Sequence, residues 1–350
     1  DIQLLNERKH KDEVEFLFKH ALAQQATYES ILETSRKDLH LKIANSIEKV
    51  FAGRIHEFYG MLAHHYSKAG KMDKTEEYLI KAGDESMMSG ASSVATNFFI
   101  EARQLIQQRN NKQDQQKIID LDEKLAYTTA VMGQPVESIK YCDNVIAYYY
   151  KPFPKSEFRR FFDLFVNILL LNRAIYFFKY NTEPVINEVN RKLTKIMIVQ
   201  SGSLAYIDPR RLFFDTNYTV RFVKKKEFGN EEAIVVMLHS TIFFQTGILF
   251  NLGKRIVEWG VDYLDEKFTL SWIRGKFCVT MLDYDIGNKA DISDEEKVIK
   301  YGIQIGEFFY TTNYYFYTSL SMIESGEEKV FLHLLNRILQ VSEAFDSSSS

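Results

Sequence analysis

Apolar residues recur at steps of three and four along almost the whole chain, which is the spacing of one face of an α-helix. The segment 13–51 is therefore predicted to be amphipathic helix, interrupted near Thr34 and Ser35, where a short polar side chain can cap the next helix. The apolar residues with this spacing are Val14, Leu17, Phe18, Ala21 and Leu22, followed by Leu39, Ile43, Ile47 and Val50. Because helical periodicity dominates the chain, the pattern predicts an all-α fold.

An irregular array of helical repeats is the most specific architecture that the pattern indicates. A tetratricopeptide repeat (TPR) consists of two antiparallel helices in about 34 residues, with large residues in the first helix and small ones in the second. Small residues let the two helices approach, and large ones fill the space between them. The matching residues are Tyr59, Leu62, Ala63, Tyr66, Gly70, Thr75, Leu79 and Ala82 in a first unit, Gly90, Ala95, Phe99 and Ala102 in a second, and Leu125, Ala126, Gly133, Ser138, Cys142 and Val145 in a weaker third. We therefore expect a TPR-like helical-repeat solenoid, an α–α superhelix.

Two prolines, Pro152 and Pro154, interrupt this pattern, because the residue before a proline is displaced from helical geometry. Beyond them the periodicity predicts longer and more aromatic helices at 157–180, 182–199, 231–252, 254–264, 270–283, 294–310 and 327–345. The segment 248–264 is typical of a further helix–turn–helix, with Gly253 at its turn. The serine run 347–350 has no core-forming residue, and we expect it to be disordered.

Composition is that of a soluble interaction domain. The 350 residues include 45% hydrophobic residues and carry a net charge of −3, which allows a large core and gives no basic surface typical of nucleic-acid binding. The two cysteines, Cys142 and Cys278, argue against a disulfide framework and favour the cytoplasm. The charged segment 1–12 does not resemble a signal peptide, and we expect the chain to start inside a longer protein.

One segment has nearly the length of a membrane span. Residues 161–178 are mostly apolar, but they include Asp163, Asn167, Asn172 and Arg173, and polar side chains of this kind are costly in hydrocarbon. We therefore favour a buried or groove-facing helix of the solenoid over a membrane helix, and we expect no membrane span.

Three blocks near the start of the chain carry a family resemblance. They are EFLFKHALAQQATYESIL at 15–32, RKDLHLKIANSIEKVF at 36–51 and LAHHYSKAGKMDKTEEYLIKAG at 62–83. In this order they resemble the junction at which the ATPase-like module of the large class III adenylate and guanylate cyclases, and of related signalling ATPases, ends and TPR repeats begin. The resemblance extends over residues 15–106.

The resemblance implies a domain organisation and a role. Residues 1–52 would be the end of a winged-helix-like subdomain with a packed His20, 53–150 the TPR-like repeats, and 151–346 divergent helical repeats. The chain would then be a non-catalytic interaction or autoregulatory segment of a cyclase in cyclic-nucleotide signalling, cytoplasmic and associated with cilia or the cytoskeleton. The alternative is the TPR tail of a STAND-type ATPase or of a kinase without cyclase domains.

No catalytic motif is recognisable in the sequence. AGKM, LGKR and RGKF each place a lysine after a glycine but lack the rest of a phosphate-binding loop, and the paired metal-binding aspartates of cyclases are absent. His56, His64 and His65 lack a carboxylate or cysteine to complete a metal site, and the acidic cluster at 283–296 lacks the order of a calcium-binding loop. We expect no catalytic residue, cofactor or metal in this segment.

An aromatic run at 308–317 is the best candidate for a partner surface. Phe308, Tyr310, Tyr314 and Tyr317 would anchor an interface if they are exposed, because large aromatic side chains often dominate binding energy. The alternative is that they belong to the core of the solenoid. Partners would be other proteins or upstream domains of the same chain, and not nucleic acid.

Overall fold

The chain folds almost entirely into helices. The computed structural model describes residues 5–10, 13–18, 20–109, 111–154, 156–177, 185, 187–215, 218–222, 227, 229–305 and 307–349. Within these ranges, the description leaves out the side chains at 5–10, 13–17, 112, 222, 245, 308 and 344–349.

A short β-hairpin precedes the helices: β1 (Leu5–His10) pairs antiparallel with β2 (Glu13–Phe18). The helices, in chain order, are α1 (Ala21–Ser30), α2 (Glu33–Val50), α3 (Tyr59–Lys68), α4 (Met72–Met88), α5 (Ser92–Gln108), α6 (Gln115–Val131), α7 (Pro135–Tyr149), α8 (Glu157–Phe177), α9 (Glu188–Ile207), α10 (Pro209–Asp215), α11 (Thr219–Phe222), α12 (Asn230–Thr246), α13 (Phe250–Gly260), α14 (Thr269–Asp285), α15 (Glu295–Ile305), α16 (Phe308–Glu324) and α17 (Glu328–Ser349). Segments of 3₁₀ helix lie at Ala52–Phe58, Lys112–Asp114 and Val261–Tyr263. The all-α prediction is therefore confirmed.

The hairpin corrects the helix that was predicted from residue 13. The sequence EVEFLF places Val14, Phe16 and Phe18 at alternate positions, a period of two that suits a strand. Pairing with β1 gives the backbone of β2 its hydrogen bonds. The segment is therefore a strand, although the spacing of its apolar residues also suits a helix. His20, which we expected to be packed, is exposed just before α1.

The chain forms two compact units. Unit 1 comprises Asp1–Met88 with Asn97–Asp114, and unit 2 comprises Ser89–Thr96 with Gln115–Ser350. The first turn of α5 therefore belongs to unit 2 and the rest of α5 to unit 1. The divisions expected at residues 52 and 150 lie inside these units.

Unit 1 contains the helical hairpin of α3 and α4, whose helices pack closely on each other. Gly70 makes the turn between them with a left-handed φ of 71°. The hydroxyl of Thr75 donates to the Lys71 carbonyl oxygen at 3.0 Å, which satisfies this departure from the alanine usual in TPRs. Tyr59 is half-buried, and the residues assigned to the repeats that are buried here are Leu62, Ala63, Tyr66, Leu79, Ala82, Phe99 and Ala102.

The helices of unit 2 stack in the order of the sequence. Helix α6 packs on α7, α7 on α9, α9 on α12, α12 on α14, α14 on α16 and α16 on α17. Gly90 and Gly133 make left-handed turns with φ of 81° and 67°, and Ala95 and Cys142 are fully buried. Packing between neighbours along the chain is typical of a helical-repeat solenoid, as the sequence predicted.

One turn of unit 2 differs from the prediction. The turn expected at Gly253 lies instead at Gly247, whose φ of 67° is left-handed. Gly253 lies inside α13, where a Cβ atom would be 2.6 Å from the ring of Phe244. A glycine is needed there for close approach and not for a turn.

The aromatic run and the end of the chain also differ from the prediction. The helix predicted over 294–310 ends at Ile305, and the aromatic run begins a separate helix, α16. The backbone N–H of Glu307 donates to the Gly302 carbonyl oxygen at 2.9 Å and closes the end of α15. Helix α17 continues through Ser349, so the backbone of 347–349 is helical where we expected a disordered tail.

Gly83→Ala should destabilise unit 1. A Cβ atom at Gly83 would lie 2.3 Å from a ring carbon of Phe99, which is fully buried. Alanine normally stabilises a helix by about 1 kcal/mol relative to glycine. We expect overpacking to reverse that sign and to cost about 1–3 kcal/mol, measured by amide hydrogen exchange in α4.

Gly53→Ala is the matched control, because no atom lies within 4 Å of a Cβ atom built at Gly53. It should leave hydrogen exchange in α4 unchanged. Equal protection of α4 in the wild type and in Gly83→Ala would show that Phe99 does not pack against this helix.

Candidate functional site

A groove crosses one face of unit 2, between α6, α9, α14 and α16. One section has a volume of about 480 Å³, and a second section of about 320 Å³ continues along α9 towards Lys195. We call this surface the groove and define it by Tyr127, Val131, Ile198, Gly202, Tyr206, Arg274, Phe309 and Tyr310.

Helix α9 forms the floor of the groove. Ile198, Gly202 and Tyr206 recur every four residues and face the groove, whereas Leu193 and Met197 are buried against other helices. No atom lies within 4 Å of a Cβ atom built at Gly202. The missing side chain therefore opens the floor at its centre.

Aromatic rings form one wall of the groove. The ring centroids of Tyr206 and Phe309 are 6.3 Å apart, and those of Phe309 and Tyr310 are 5.0 Å apart. Tyr206 is 69% exposed and Phe309 is 42% exposed, so both can contact a ligand. Burial raises the pKa of Tyr310 above its usual value, so its hydroxyl, protonated at neutral pH in any case, stays protonated in more alkaline solution as well.

Arg274 is held in place beside these rings. Its Nη2 donates to Glu307 Oε2 at 2.7 Å, and its guanidinium carbon lies 5.2 Å from the ring centroid of Tyr310. The Nε of Arg274 is buried and has no hydrogen-bond acceptor among the described residues. This nitrogen is enclosed by protein, so Arg274 contributes to the groove through the rest of its side chain, which Glu307 and the Tyr310 ring hold in place.

A serine and a histidine lie beneath the groove, but their hydrogen bonds do not make a nucleophile. His239 Nε2 is 2.8 Å from Ser201 Oγ, and Ser201 Oγ donates to the Met197 carbonyl oxygen at 2.7 Å. Because the single hydroxyl proton points to Met197, His239 Nε2 acts as a donor to the serine. A general base would have to accept that proton instead.

Two of the predicted partner residues lie at this face, and a third lies in the core of unit 2 instead. Tyr310 lines the groove, and Tyr317 lines an adjoining recess below it. Tyr314 is 1% exposed, with its hydroxyl 3.3 Å from the Asp291 carbonyl oxygen, so it belongs to the core and corrects the prediction. The side chain of Phe308 lies outside the described residues.

The sequence did not single out Tyr127 or Tyr206 as partners of Tyr310, whereas Phe309 belongs to the aromatic run that it did single out. Tyr127 of α6 and Tyr206 of α9 are far from α16 in the chain and meet Tyr310 only when these helices stack. The sequence shows that these residues are aromatic, but it shows neither their exposure nor their common surface.

Two of the histidines that the sequence suggested as metal ligands, His64 and His65, lie beside a further histidine, His40. Its Nδ1 lies 2.8 Å from His65 Nδ1, and its Nε2 lies 3.0 Å from the hydroxyl of Tyr28, so hydrogen bonds occupy both ring nitrogens. The ring of His64 is 6.0 Å from that of His40, and His56 is exposed. Burial lowers the pKa of His40 and of His65, which favours neutral rings.

Glu295, Glu296 and His333 form the group of three ligand atoms in the described chain that lie close enough to hold a metal ion. Arg337 already supplies a cation there, because its Nη2 pairs with Glu296 and lies 3.9 Å from Glu295 Oε1. We therefore assign no metal to this acidic segment.

No protein-family model matches the sequence, and comparison with curated proteins gave no match either. The cyclase or ATPase parent implied by the resemblance therefore stays a hypothesis. Within the described residues, no helix combines the length and the apolarity needed to cross a membrane.

Acid should destabilise unit 2 through His239. Burial lowers the pKa of His239 to about 4, whereas an unfolded histidine has a pKa of about 6.5. Because the unfolded state binds the proton first, stability should fall as pH drops from about 6.5 to 4, by up to about 3 kcal/mol. Urea unfolding can be followed by tryptophan fluorescence, since Trp259 and Trp272 both lie in unit 2.

His239→Gln keeps a nitrogen donor for Ser201 and cannot titrate, so its stability should vary less over this pH range. His56→Gln, at an exposed position in unit 1, is the control and should respond to acid as the wild type does. An unchanged acid response in His239→Gln would mean that other groups control it.

Proposed function

We propose that the chain is a non-catalytic scaffold that binds a short segment of a partner protein in the groove of unit 2. The observation that supports this function is the combination in one groove of exposed aromatic rings with an arginine, Arg274, beside them. Binding hot spots are enriched in such groups, because rigid rings bury much area and arginine orients the partner.

The form of the groove favours a peptide segment. Its main section of about 480 Å³ lies within the range of about 300–1,000 Å³ that compact ligands occupy, and the second section extends it along α9. The open floor at Gly202 would accept a large apolar side chain. Arg274 beside it and the exposed Lys195 at the far end favour acceptor or acidic groups next to that anchor.

We further propose that this scaffold regulates a larger signalling protein. The support is the resemblance of 15–106 to the junction between ATPase modules and TPR repeats, and the parent that it favours is a nucleotidyl cyclase in the cytoplasm, with a ciliary or cytoskeletal association. The alternative parent is a STAND-type ATPase or a kinase with the same tail. Paired cyclase domains, a kinase domain or a phosphate-binding loop elsewhere in a longer chain would discriminate between them.

Val131→Arg should prevent peptides from binding in the groove. Val131 is 41% exposed on the groove wall, so arginine can replace it without entering the core and would fill the recess. Peptides selected on the wild-type chain from a random displayed library should share a large apolar residue beside an acidic one. Their affinity for Val131→Arg should be at least about tenfold lower.

Val136→Arg is the matched control, at a valine of α7 that is 62% exposed and does not line the groove. It should bind the selected peptides as the wild type does. Peptides that bind Val131→Arg as tightly as the wild type would place the binding site elsewhere.

The scaffold proposal also predicts no turnover. The purified chain should neither hydrolyse ATP nor form cyclic AMP or cyclic GMP with magnesium or manganese, because the sequence has no phosphate-binding loop and no paired metal-binding aspartates. Phosphate release and cyclic-nucleotide assays measure this. Activity that survives repurification and disappears on denaturation would contradict the proposal.

A further inference from the structure

Helix α8 turns polar side chains inward. Asp163 accepts hydrogen bonds from the Tyr218 hydroxyl at 2.7 Å and from Arg221 Nη2 at 3.0 Å, and Asn167 accepts from the same guanidinium. Asp163 is 8% exposed and Asn167 is fully buried. Because buried polar groups are costly without partners, these bonds fix which face of α8 lies inside unit 2.

The opposite face of α8 is apolar and open to solvent. On an ideal helix its six side chains fall within an arc of about 100°. We call them the α8 stripe: Phe158 (83% exposed), Phe161 (54%), Phe162 (60%), Phe165 (60%), Leu169 (54%) and Tyr176 (71%). A helix at the surface of a globular protein normally shows solvent a polar face instead.

The α8 stripe is large enough for a specific interface. From residue 158 to 176 it extends about 27 Å along the helix. Large aromatic side chains bury about 150–250 Å² each, so the exposed parts of the stripe amount to roughly 700 Å². Contiguous apolar patches on monomers rarely exceed a few hundred Å², and one side of a standard interface covers about 800 Å².

Five residues of the α8 stripe, together with Asn172, have the spacing of a coiled-coil seam. Positions alternate by four and three residues, as the a and d positions of a heptad do. Asn172 takes one of these positions, and its Oδ1 accepts from Arg255 at 3.1 Å. The seam consists of Phe158, Phe162, Phe165, Leu169, Asn172 and Tyr176. A polar residue in such a seam restricts the register of the facing helix, so the surface suits a helical partner.

One edge of the seam is basic. Arg159 and Arg173 are exposed at equivalent heptad positions, two heptads apart, and neither forms an ion pair with a described residue. The nearby Glu157 is paired with Arg210 at 2.6 Å. Carboxylates along the facing edge of a partner helix would complement the two arginines.

A second copy of this chain fits the stripe less well when the two α8 helices run antiparallel. In an antiparallel pair of identical helices, the same edge of each helix meets the other. Arg159 and Arg173 of one copy would then face the same arginines of the second copy. Like charges in contact oppose such pairing.

We propose that the α8 stripe docks an amphipathic helix of a partner protein, with a heptad seam of leucine-like residues and with glutamate or aspartate along the edge that faces Arg159 and Arg173. None of the stripe residues belongs to the groove. Helix docking on α8 and peptide binding in the groove can therefore fail or succeed separately.

The test uses two synthetic heptad peptides with leucine at the seam positions, one with glutamate and one with lysine at the flanking positions. Each peptide is titrated into the full chain and its binding is followed by fluorescence anisotropy. We expect the glutamate peptide to bind at least about tenfold more tightly than the lysine peptide, with a preference that weakens at high salt.

Two variants of α8 locate this binding. Phe162→Asp places a charge in an exposed position of the seam and should reduce glutamate-peptide binding at least about tenfold. Arg159→Glu combined with Arg173→Glu should reverse the preference in favour of the lysine peptide, an effect that loss of folding cannot produce. Phe316→Asp, at a phenylalanine of α16 that is 49% exposed, is the matched control and should bind as the wild type does.

Other occupants of the stripe give different results. Equal binding of both peptides, or binding by neither, would overturn the proposal. Binding to phosphatidylserine-containing vesicles that Phe162→Asp abolishes would assign the stripe to a membrane surface. A concentration-dependent dimer in sedimentation that Phe162→Asp dissociates would assign it to a second copy. Val131→Arg in the groove should leave peptide binding to α8 unchanged.

Discussion

Most helices in the described part of this chain bury their apolar faces against helices that are near them in the sequence, and that constraint shapes both units. Where two helices must approach closely, glycine provides the space: a Cβ atom at Gly302 would lie 2.2 Å from Thr311, and one at Gly260 would lie 2.2 Å from Met237. Interiors are packed as densely as organic crystals, so such contacts leave no room for even one methyl group. The stability of each unit depends on a series of local contacts and not on one central core.

The groove of unit 2 is a consequence of the same stacking. Successive hairpins place one helix of each pair along a common face, and the side chains on that face have no further layer to cover them. In this chain they are aromatic rings and a paired arginine, not a continuous row of charges. A surface of this kind binds by burying apolar area and uses its few polar groups for orientation.

Helix α8 departs from the usual arrangement, because hydrogen bonds and not apolar burial alone determine its orientation. The interaction of Asp163 with Tyr218 and Arg221 requires that face to be inside, and the aromatic face is then left at the surface. Asp163 and Asn167, two of the polar residues that made a membrane helix unfavourable in the sequence, are therefore the ones that hold α8 against the rest of unit 2. Unit 2 therefore presents the α8 stripe at its surface in addition to the groove.

The all-α class and the positions of many helices could be read from the sequence alone, because helical periodicity and the glycines of left-handed turns are local signals. Residues such as Leu62, Ala82, Phe99 and Ala102 were identified in this way and are buried in unit 1. The strand at 13–18 was missed because its alternation is compatible with both periods, and only pairing with β1 decides between them. Gly253 was assigned to a turn because sequence does not separate a glycine needed for φ from one needed for close approach.

Tertiary structure alone decided which aromatic residues are surface and which are core. Tyr310 and Tyr314 are one helical turn apart with similar neighbours in the sequence, yet one lines the groove and the other is buried. Both residues belong to α16, so the difference in their exposure comes from the helices that pack on each side of α16. Partner surfaces of a helical repeat are set by contacts between distant segments, whereas its helices are set by spacing along the chain.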